Sequence, residues 1–504
     1  MKNTPNPLAA QTEKRVPFRT PKSKSTQGPY NRYDATGMGR RLAGWTPRPI
    51  APEKVAHGTE RMRDRAREAS ENEWTAEASA RVLTTNLVGV GILPRPKTKN
   101  VALKRRLTDL WTEFSRTCDA YGVLDFYGLQ TLGVHNLFTA GEFFVRVRPR
   151  RIEDGLPVPM QIQLLESEMC PMVDLDSHEN LPAGHRLRSG IELDQIGSRT
   201  AIWFYKSHPQ SGELGSAEYT RVPIAEVTHV FMPTRIGQLR GITGMATTMI
   251  KQREIADYLN ALLERNKLAN MTVGFVTRPN TANMDDPILG QNVDYGRTND
   301  HIALAPATLV QLADGEDIKW SSPPSVGMAH AEYVRSEVSG IAAGHGVPYT
   351  LISHDLKDVS DRTLRVVLNE FRRWCSQKQW QIIIPQFCDP VYRAFVNAAL
   401  ISGDITPREA EEAKRVQWYP HGFEYIHPVQ DVEGQKLAVE AGFKSRDEVI
   451  SGRGDDPEEV DNSRIEGYNR EKALGITAYL QTLSTSVKNA PTAFFDKLKN
   501  LWSE

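Results

Sequence analysis

Two kinds of hydrophobic spacing divide the first half of the chain. Residues from about 60 to 87 lack proline and place Trp74, Ala78 and Val82 at helical spacing, and a second helix is predicted over 101–118. Three further segments alternate apolar with polar or charged residues, as half-buried strands do: 142–148, 159–164 and 200–205. This half of the chain is therefore predicted to mix helices and strands.

The pattern changes after Gly241. A proline-free run predicts a helix over 243–268, with Ile255, Tyr258 and Leu262 on one stripe. A second helix is predicted over 328–343, ended by the glycines and proline that follow it. Between them lie three short strand-like pieces (273–277, 301–304 and 317–320) around a loop rich in Asn, Asp and Gly at 280–300. The sequence thus predicts a small α/β insertion carried on two helices.

A polar loop over 353–362 leads into a long helix in the last third of the chain. Leu364, Leu368 and Phe371 mark one face of this helix, and we expect Pro385 to kink it rather than end it. The last hundred residues are predicted to be mostly helical. Within them, Ser445 followed by Asp447 and Glu448 has the character of a helix N-cap and first turn.

Charge is balanced over the whole chain but not at its start. The 504 residues carry 62 Lys and Arg against 62 Asp and Glu, which excludes a global pull towards nucleic acid or an acidic membrane. Residues 1–50 instead hold ten basic and two acidic residues among many prolines, which predicts an extended arm. Either an anionic partner or a tail that only solubilises the chain accounts for this segment.

Hydropathy and cysteine usage indicate an ordinary reducing compartment. The mean hydropathy is −0.46, and no apolar stretch reaches the roughly 18 residues that a membrane span needs. Residues 1–50 lack the apolar core of a secretory signal, so we expect the protein to stay where it is made. Cys118, Cys170, Cys375 and Cys388 lie far apart without CxxC spacing and are predicted to be buried thiols.

A search for catalytic motifs finds none with the required spacing. The chain lacks a Walker A loop, a GxSxG nucleophile elbow and an HExxH zinc pair. His345 and the His354–Asp355 pair could act as acid and base, but they are interpreted as plain polar residues. The acidic run 455–459 could supply metal ligands for a nuclease, yet a proline in its middle favours a solvated helix start. We therefore predict no enzyme, no cofactor and no metal site.

Specific segments, in a fixed order along the chain, carry a resemblance to a known family. They are 33–35, 40–42 with Trp45, 85–92, 125–130, 141–146, 163–166, 227–231, 237–241, 341–349, 369–373 and 452–460. From about Tyr33 to about Asn469, the chain resembles the lambda-type portal proteins of tailed bacteriophages. No single segment is a catalytic signature, and the joint order makes the match specific.

The resemblance implies an α+β multidomain fold assembled as a ring, typically of twelve subunits, at one capsid vertex. Its parts would be a basic arm (1–52), a wing (53–240), two stem helices (241–270 and 327–346) and a clip (271–326). A tunnel loop (347–362, with its polar core at 353–362), a long helix (363–400) and a wing-to-crown segment (401–504) would follow.

The family also implies partners and site residues. Double-stranded DNA would pass through the ring during packaging and ejection, bound without sequence preference. The terminase large subunit, a head-completion protein and the major capsid or scaffold protein would dock on it. The ring would reside in the virion, and in the host cytoplasm during assembly, without a membrane partner.

Two sets of charged residues are expected to face the channel. The tunnel loop contributes His354, Asp355, Lys357, Asp358, Asp361 and Arg362, and the first stem helix contributes Lys251, Arg253, Glu254, Asp257, Glu264, Arg265 and Lys267. The loop departs from the family pattern, which is close to Gly-Asp-Leu-Ser followed by Asn-Tyr-Ser-Ser.

The alternative to a portal protein is a head-tail connector or adaptor ring protein without a role in packaging.

Overall fold

The computed structural model describes Gly44 and residues 49–474, except 213–217, 271–273, 278–316, 321–328, 358 and 424–426. The predicted arm therefore lies almost wholly outside the described residues. The same holds for the predicted strand 301–304, the loop 280–300 and residues 475–504.

Helices dominate both ends of the described chain. They are α1 (Glu60–Asn72), α2 (Trp74–Leu87), α3 (Val101–Thr117), α4 (Phe126–Thr139), α5 (Met249–Asn270), α6 (Ala329–His345), α7 (Tyr349–Ser353), α8 (Asp361–Lys378), a π-helical segment (Gln379–Cys388), α9 (Asp389–Ser402), α10 (Ala410–Ala413), α11 (Pro428–Glu440), α12 (Arg446–Ser451) and α13 (Pro457–Ala473). Short 3₁₀ turns occur at Pro52–Lys54, Ile152–Asp154 and Ser167–Met169.

Within the described residues, the strands form four small antiparallel sheets. They are β1 (Leu93–Pro96), β2 (Glu142–Pro149), β3 (Met160–Glu166), β4 (Arg186–Arg188), β5 (Ile191–Leu193), β6 (Arg199–Tyr205), β7 (Tyr219–Pro223), β8 (Val227–Phe231), β9 (Gly274–Thr277), β10 (Asp317–Trp320) and β11 (Val416–Tyr419). Their orders are β3-β2-β8, β4-β5-β6-β7, β1-β11 and β9-β10. The strands predicted at 142–148, 159–164, 200–205, 273–277 and 317–320 are confirmed.

The single helix predicted over 60–87 is wrong, because the chain breaks at Glu73. This residue has extended backbone angles (φ −109°, ψ 116°), and it separates α1 from α2. Helix α2 buries an apolar and small-residue face that includes Ala76 and Leu83, whereas α1 buries the charged Arg63. The break lets each helix bury its own set of residues, which in α1 is Arg63, Ala66 and Ser70.

One hydrophobic core joins the first half of the chain to the long helix. Trp111 of α3 packs against Tyr392 and Phe395 of α9, with ring centroids 5.4 and 5.1 Å apart. Phe387 of the π segment likewise packs against Phe126 at 5.7 Å. The mixed helix and strand half and the long helix therefore fold as one packed unit.

The long helix runs continuously past Pro385, as predicted. Helix α8 passes into the π segment Gln379–Cys388, which contains Pro385, and then into α9. Proline has no N–H to donate, and it lies here where the α-helical bonding ladder is already interrupted. The helix begins at Asp361, so the preceding loop is shorter than predicted.

The acidic run 455–459 is a helix start, as predicted, and Asp455, Glu458 and Glu459 are exposed. Asp456 caps α13 by accepting from the Glu458 N–H at 3.0 Å, yet its side chain is buried. Arg95 of β1 pairs with Glu459 at 2.5 Å, and Lys104 of α3 pairs with Glu458 at 2.5 Å. This run therefore docks α13 on the first half of the chain.

The backbone of the turn 453–455 packs closely against the backbone of residues 420–422. Gly454 has φ +90°, and a Cβ there would lie 2.9 Å from the carbonyl oxygen of Pro420. A Cβ on Gly422 would in turn lie 2.3 Å from the Arg453 carbonyl oxygen. Only residues without a side chain let these two backbones approach so closely.

The predicted N-cap at Ser445 is confirmed, because its hydroxyl accepts from the Glu448 N–H at 3.0 Å.

All four cysteines are free and buried, as predicted. Burial raises the pKa of the Cys118 and Cys375 thiols to about 12, which keeps them protonated and poorly nucleophilic. In the part of the chain that the structure describes, no helix is both long and apolar enough to cross a bilayer.

Candidate functional site

A buried ionic cluster lies at the point where the first half of the chain passes into α5. Glu142, at the start of β2, accepts from Arg240 Nε at 2.7 Å, from Ser167 Oγ at 2.5 Å and from the Gly241 N–H at 2.6 Å. Arg240 is fully buried and also donates to the carbonyl of Ser189 at 2.8 Å. The cluster ties β2 to the chain entering α5, and we call it the junction.

His229 of β8 completes the junction as a neutral ring. Its Nε2 lies 2.8 Å from Glu142 Oε2, and its Nδ1 lies 3.2 Å from Arg199 Nη1. A guanidinium can only donate, so Nδ1 must accept and the proton must sit on Nε2. Burial between Phe144 and Phe231 lowers the pKa of His229 to about 4, in agreement with this tautomer.

The charged and hydrogen-bonding neighbours of Glu142 more than offset the effect of burial on its pKa. Burial by itself raises a carboxyl pKa, but Arg240 and the His229 hydrogen bond together hold the pKa of Glu142 far below its ordinary value. The carboxylate therefore stays charged at neutral pH with its neighbours arranged around it. Such a pair contributes to stability only while both partners remain in place.

Two glycines allow the backbones at the junction to touch. A Cβ on Gly241 would lie 2.2 Å from the Gly141 carbonyl oxygen, and a Cβ on Gly141 would lie 2.2 Å from the Ile242 carbonyl carbon. The chain after Gly241 is held in turns against α4, with the Thr243 hydroxyl donating to the Phe138 carbonyl at 3.1 Å. Helix α5 consequently begins at Met249, later than the predicted start at residue 243.

His345, at the C-terminal end of α6, links this helix to α2 and to the turn that precedes α5. Its Nδ1 lies 2.8 Å from Ser79 Oγ of α2, and its Nε2 lies 2.7 Å from Thr248 Oγ1, just before α5. The Ser79 hydroxyl already donates to the Thr75 carbonyl, so it accepts from His345 Nδ1–H. The interpretation of His345 as a plain polar loop residue is wrong. Its ring is buried and forms hydrogen bonds with two hydroxyl groups.

Burial lowers the pKa of His345 from its ordinary value of about 6.5 to about 4, and this makes stability depend on pH. As pH falls below 6.5 the unfolded chain takes up the proton first, so stability is lost between about pH 6.5 and pH 4. His345→Gln is expected to remove about 2 kcal/mol of the difference in unfolding free energy between pH 7 and pH 5. Urea denaturation at both pH values measures this. His354→Gln, at an exposed histidine, is the matched control, and an unchanged pH dependence in His345→Gln would contradict the prediction.

Helices α5 and α6 lie against each other, and a small number of polar side-chain contacts between described residues join them. Lys251 Nζ lies 2.6 Å from Glu337 Oε2, and Tyr258 Oη lies 2.8 Å from His330 Nδ1. Beyond Ile255 no described side chain of α5 is buried. Ile250 is 76% exposed, Leu263 52% and Tyr333 48%. The pair therefore projects from the core with apolar residues uncovered.

The structure separates one of the predicted α5 residues from the rest. Since residues advance by about 100° around a helix, Arg253, Glu254, Asp257, Glu264, Arg265 and Lys267 share one side, opposite the buried Gln252 and Ile255. All six are exposed. Lys251 lies outside this arc and faces α6 through its pair with Glu337. The mixed-sign side carries three basic and three acidic residues.

The loop between α7 and α8 is held by contacts with α6. Arg335 Nη2 donates to the Lys357 carbonyl at 2.8 Å, and its Nε lies 3.4 Å from Asp355 Oδ2. Asp355 also accepts from the Lys357 N–H at 3.0 Å, and this hydrogen bond, with the nearby Arg335, lowers the pKa of Asp355. His354 ends α7 in the left-handed region at φ +53°. The Lys357 side chain is exposed.

The remaining predicted loop residues belong to the start of α8. Ser360 caps this helix by accepting from the Thr363 N–H at 3.2 Å, and Asp361 pairs with His427 Nε2 at 2.9 Å. Arg362 is exposed in the first turn. Asp358 lies outside the described residues. The structure thus brings Asp355 and Lys357 together and places Asp361 and Arg362 on a helix.

No metal centre is found within the described ranges: no group of three or more His, Cys, Asp or Glu side chains there is placed to hold an ion. The charged clusters are instead satisfied by arginine, histidine and hydroxyl partners.

Comparison with known proteins agrees with this architecture. Residues 38–379 match the family described as phage portal protein, lambda family. The probable portal protein of Halomonas phage phiHAP-1 is 27% identical over 440 residues, covering 83% of this chain and 82% of that protein. Portal protein B of Escherichia phage lambda is 21% identical over 332 residues, 60% of this chain and 62% of that one.

A solved structure gives a further comparison. A chain from the "Neck of empty GTA particle computed with C6 symmetry" is 15% identical, with a TM-score of 0.45, covering 84% of this chain and all of that one. The family match spans more than half of the sequence, and this chain therefore belongs to the lambda family of phage portal proteins.

The junction residues were not singled out as a site from the sequence. Glu142, His229 and Arg240 each lie within a segment that carries the family resemblance. The available signal was a glutamate and a histidine next to apolar residues in the segments 141–146 and 227–231, since such a side chain needs a partner when it is buried. Nothing in one sequence says that these three meet, because they are separated by as many as 98 residues.

Proposed function

We propose that this portal protein assembles as a closed ring, of about twelve subunits, at a single capsid vertex, and that double-stranded DNA is packaged and ejected through the ring. Family membership supports the portal role. The observation that carries the ring is the uncovered α5/α6 pair, which leaves Leu263 and Tyr333 exposed. Exposed apolar side chains on paired helices favour burial against a neighbouring copy.

In this proposal α5 and α6 are the stem, residues 271–326 are the clip and the loop after α7 is the tunnel loop. The exposed side of α5 from Arg253 to Lys267 would face the channel. Its three basic and three acidic residues suit a surface along which DNA slides, because each cation that neutralises a phosphate adds binding free energy and thus friction. Lys357 and Arg362 would touch the phosphate backbone briefly, without reading bases.

The proposed partners follow from the same role. The clip would bind the terminase large subunit during packaging and a head-completion protein afterwards. Exchange of partners at one surface favours a modest interface over a permanent one. The outer surface of residues 53–240 would meet the major capsid or scaffold protein. The assembled ring would belong to the virion, after assembly in the host cytoplasm, and it would have no enzymatic activity of its own.

Mass and symmetry test the ring directly. Light scattering and class-averaged electron microscopy of the purified protein are expected to give a closed ring of about twelve subunits, with a channel wider than the roughly 20 Å duplex. Replacing Leu263 and Tyr333 by serine is expected to shift the population towards smaller species, since it removes exposed apolar area at the contact. A stable monomer in the unmodified protein would refute the proposal.

The tunnel-loop cations are tested by genome retention. Lys357→Ala combined with Arg362→Ala is expected to shorten the DNA retained in filled capsids, because two phosphate contacts that oppose backward slippage are lost. The matched control is Arg105→Ala with Arg373→Ala, which removes two exposed cations that pair within their own helices. Full-length retention by the loop variant under complete packing would count against these contacts.

A further inference from the structure

Arg335 of α6 contacts both the tunnel loop and the helix that leads into it. Its guanidinium reaches both a loop backbone group, the Lys357 carbonyl at 2.8 Å, and a loop side chain, Asp355 Oδ2 at 3.4 Å. The same guanidinium lies over the Tyr349 ring, 5.8 Å from its centroid. One planar cation thus engages the loop and the helix α7 that leads into it.

The loop contacts depend on one another. Tyr349 Oη donates to Asp355 Oδ2 at 3.3 Å, and Asp355 Oδ1 accepts from the Lys357 N–H at 3.0 Å. Asp355 is therefore fixed from both sides, and Arg335 neutralises the carboxylate while holding the next turn of backbone. Lysine could not replace arginine here, because a point charge cannot bond two acceptors in a fork while stacking on a ring.

We infer that Arg335 is a positioning residue: it fixes the backbone of residues 355–357 to the second stem helix and so determines where the Lys357 ammonium is presented. The inference rests on the proposed function in one respect, namely that Lys357 meets DNA. The tether itself is a property of the protein without DNA. A rigid tether also couples any movement of α6 directly to the loop.

Amide hydrogen exchange on the purified full-length protein tests the tether. In Arg335→Ala the amides of Asp355 and Lys357 are expected to exchange about tenfold faster than in the unmodified protein, because the loop opens more readily. Arg335→Lys is expected to fall between the two. Arg373→Ala, an exposed arginine whose pair lies on its own helix, is expected to leave these amides unchanged. Unchanged loop exchange in Arg335→Ala, with α6 still protected, would overturn the inference.

A double-mutant comparison separates positioning from a general structural effect. If Arg335 acts by placing Lys357, then adding Arg335→Ala to Lys357→Ala shortens the retained DNA no further than Lys357→Ala alone. Additive shortening would contradict this role. If Lys357→Ala has no effect by itself, the proposed DNA contact fails, and the exchange measurement alone still decides whether Arg335 holds the loop.

Discussion

Arg240→Met is expected to lower the free energy of unfolding by about 3–5 kcal/mol, the largest loss among the substitutions considered for this protein. The variant keeps a long apolar side chain but leaves the Glu142 carboxylate buried, with its strongest partner gone. Urea denaturation at neutral pH measures the change. Arg105→Ala, which removes an 86% exposed arginine side chain, should cost no more than about 0.5 kcal/mol.

A second variant distinguishes a lost charge partner from lost packing. Adding Glu142→Gln to Arg240→Met removes the buried charge, while the Gln carbonyl oxygen can accept from the Gly241 N–H and the Gln amide can donate to the Ser167 hydroxyl. The double variant should therefore be more stable than Arg240→Met alone. If Arg240→Met costs less than about 1 kcal/mol, the junction is not the stabilising cluster that the contacts imply.

Gly141→Ala is expected to cost about 2–4 kcal/mol, next in size to the Arg240 change. Its φ of +89° penalises any side chain, and the added Cβ would lie 2.2 Å from the Ile242 carbonyl carbon, so the backbone must shift. Gly403→Ala is the matched control, because its φ is +88° and an added Cβ would have no atom within 4 Å.

The comparison of the two glycine variants isolates the steric part. Gly403→Ala should cost about 1–2 kcal/mol for the left-handed backbone alone, and the excess in Gly141→Ala measures the close approach. Equal costs in thermal or urea denaturation would show that the junction can relax. We also expect Gly141→Ala to impair ring assembly, since the displaced segment leads directly into α5.

These predictions converge on the connection between the core and the stem, not on the channel surface. Glu142, Arg240 and His345 fix where α5 and α6 leave the core. In the proposed ring, the direction of that exit sets how neighbouring stems meet. A portal variant can therefore lose assembly through a residue that touches neither DNA nor another subunit.

Local pattern alone determined most of the elements. Strand alternation at 142–148, helical spacing at 101–118 and the Ser445 cap follow from contacts within a few residues, and the structure has each of them. The passage of the helix past Pro385 was likewise expected, since a proline can kink a helix without ending it. The ordered series of segments was enough to indicate the portal family, which the family match confirms.

Tertiary structure decided everything that depends on partners distant in sequence. The break at Glu73 arises because α1 and α2 bury different faces, and the late start of α5 arises because 241–248 packs against α4. The ion pairs of Glu459 with Arg95 and of Glu458 with Lys104 could not be read from the acidic run 455–459 alone. Burial and charge pairing depend on which residues lie nearby in space, and a single sequence does not specify those residues.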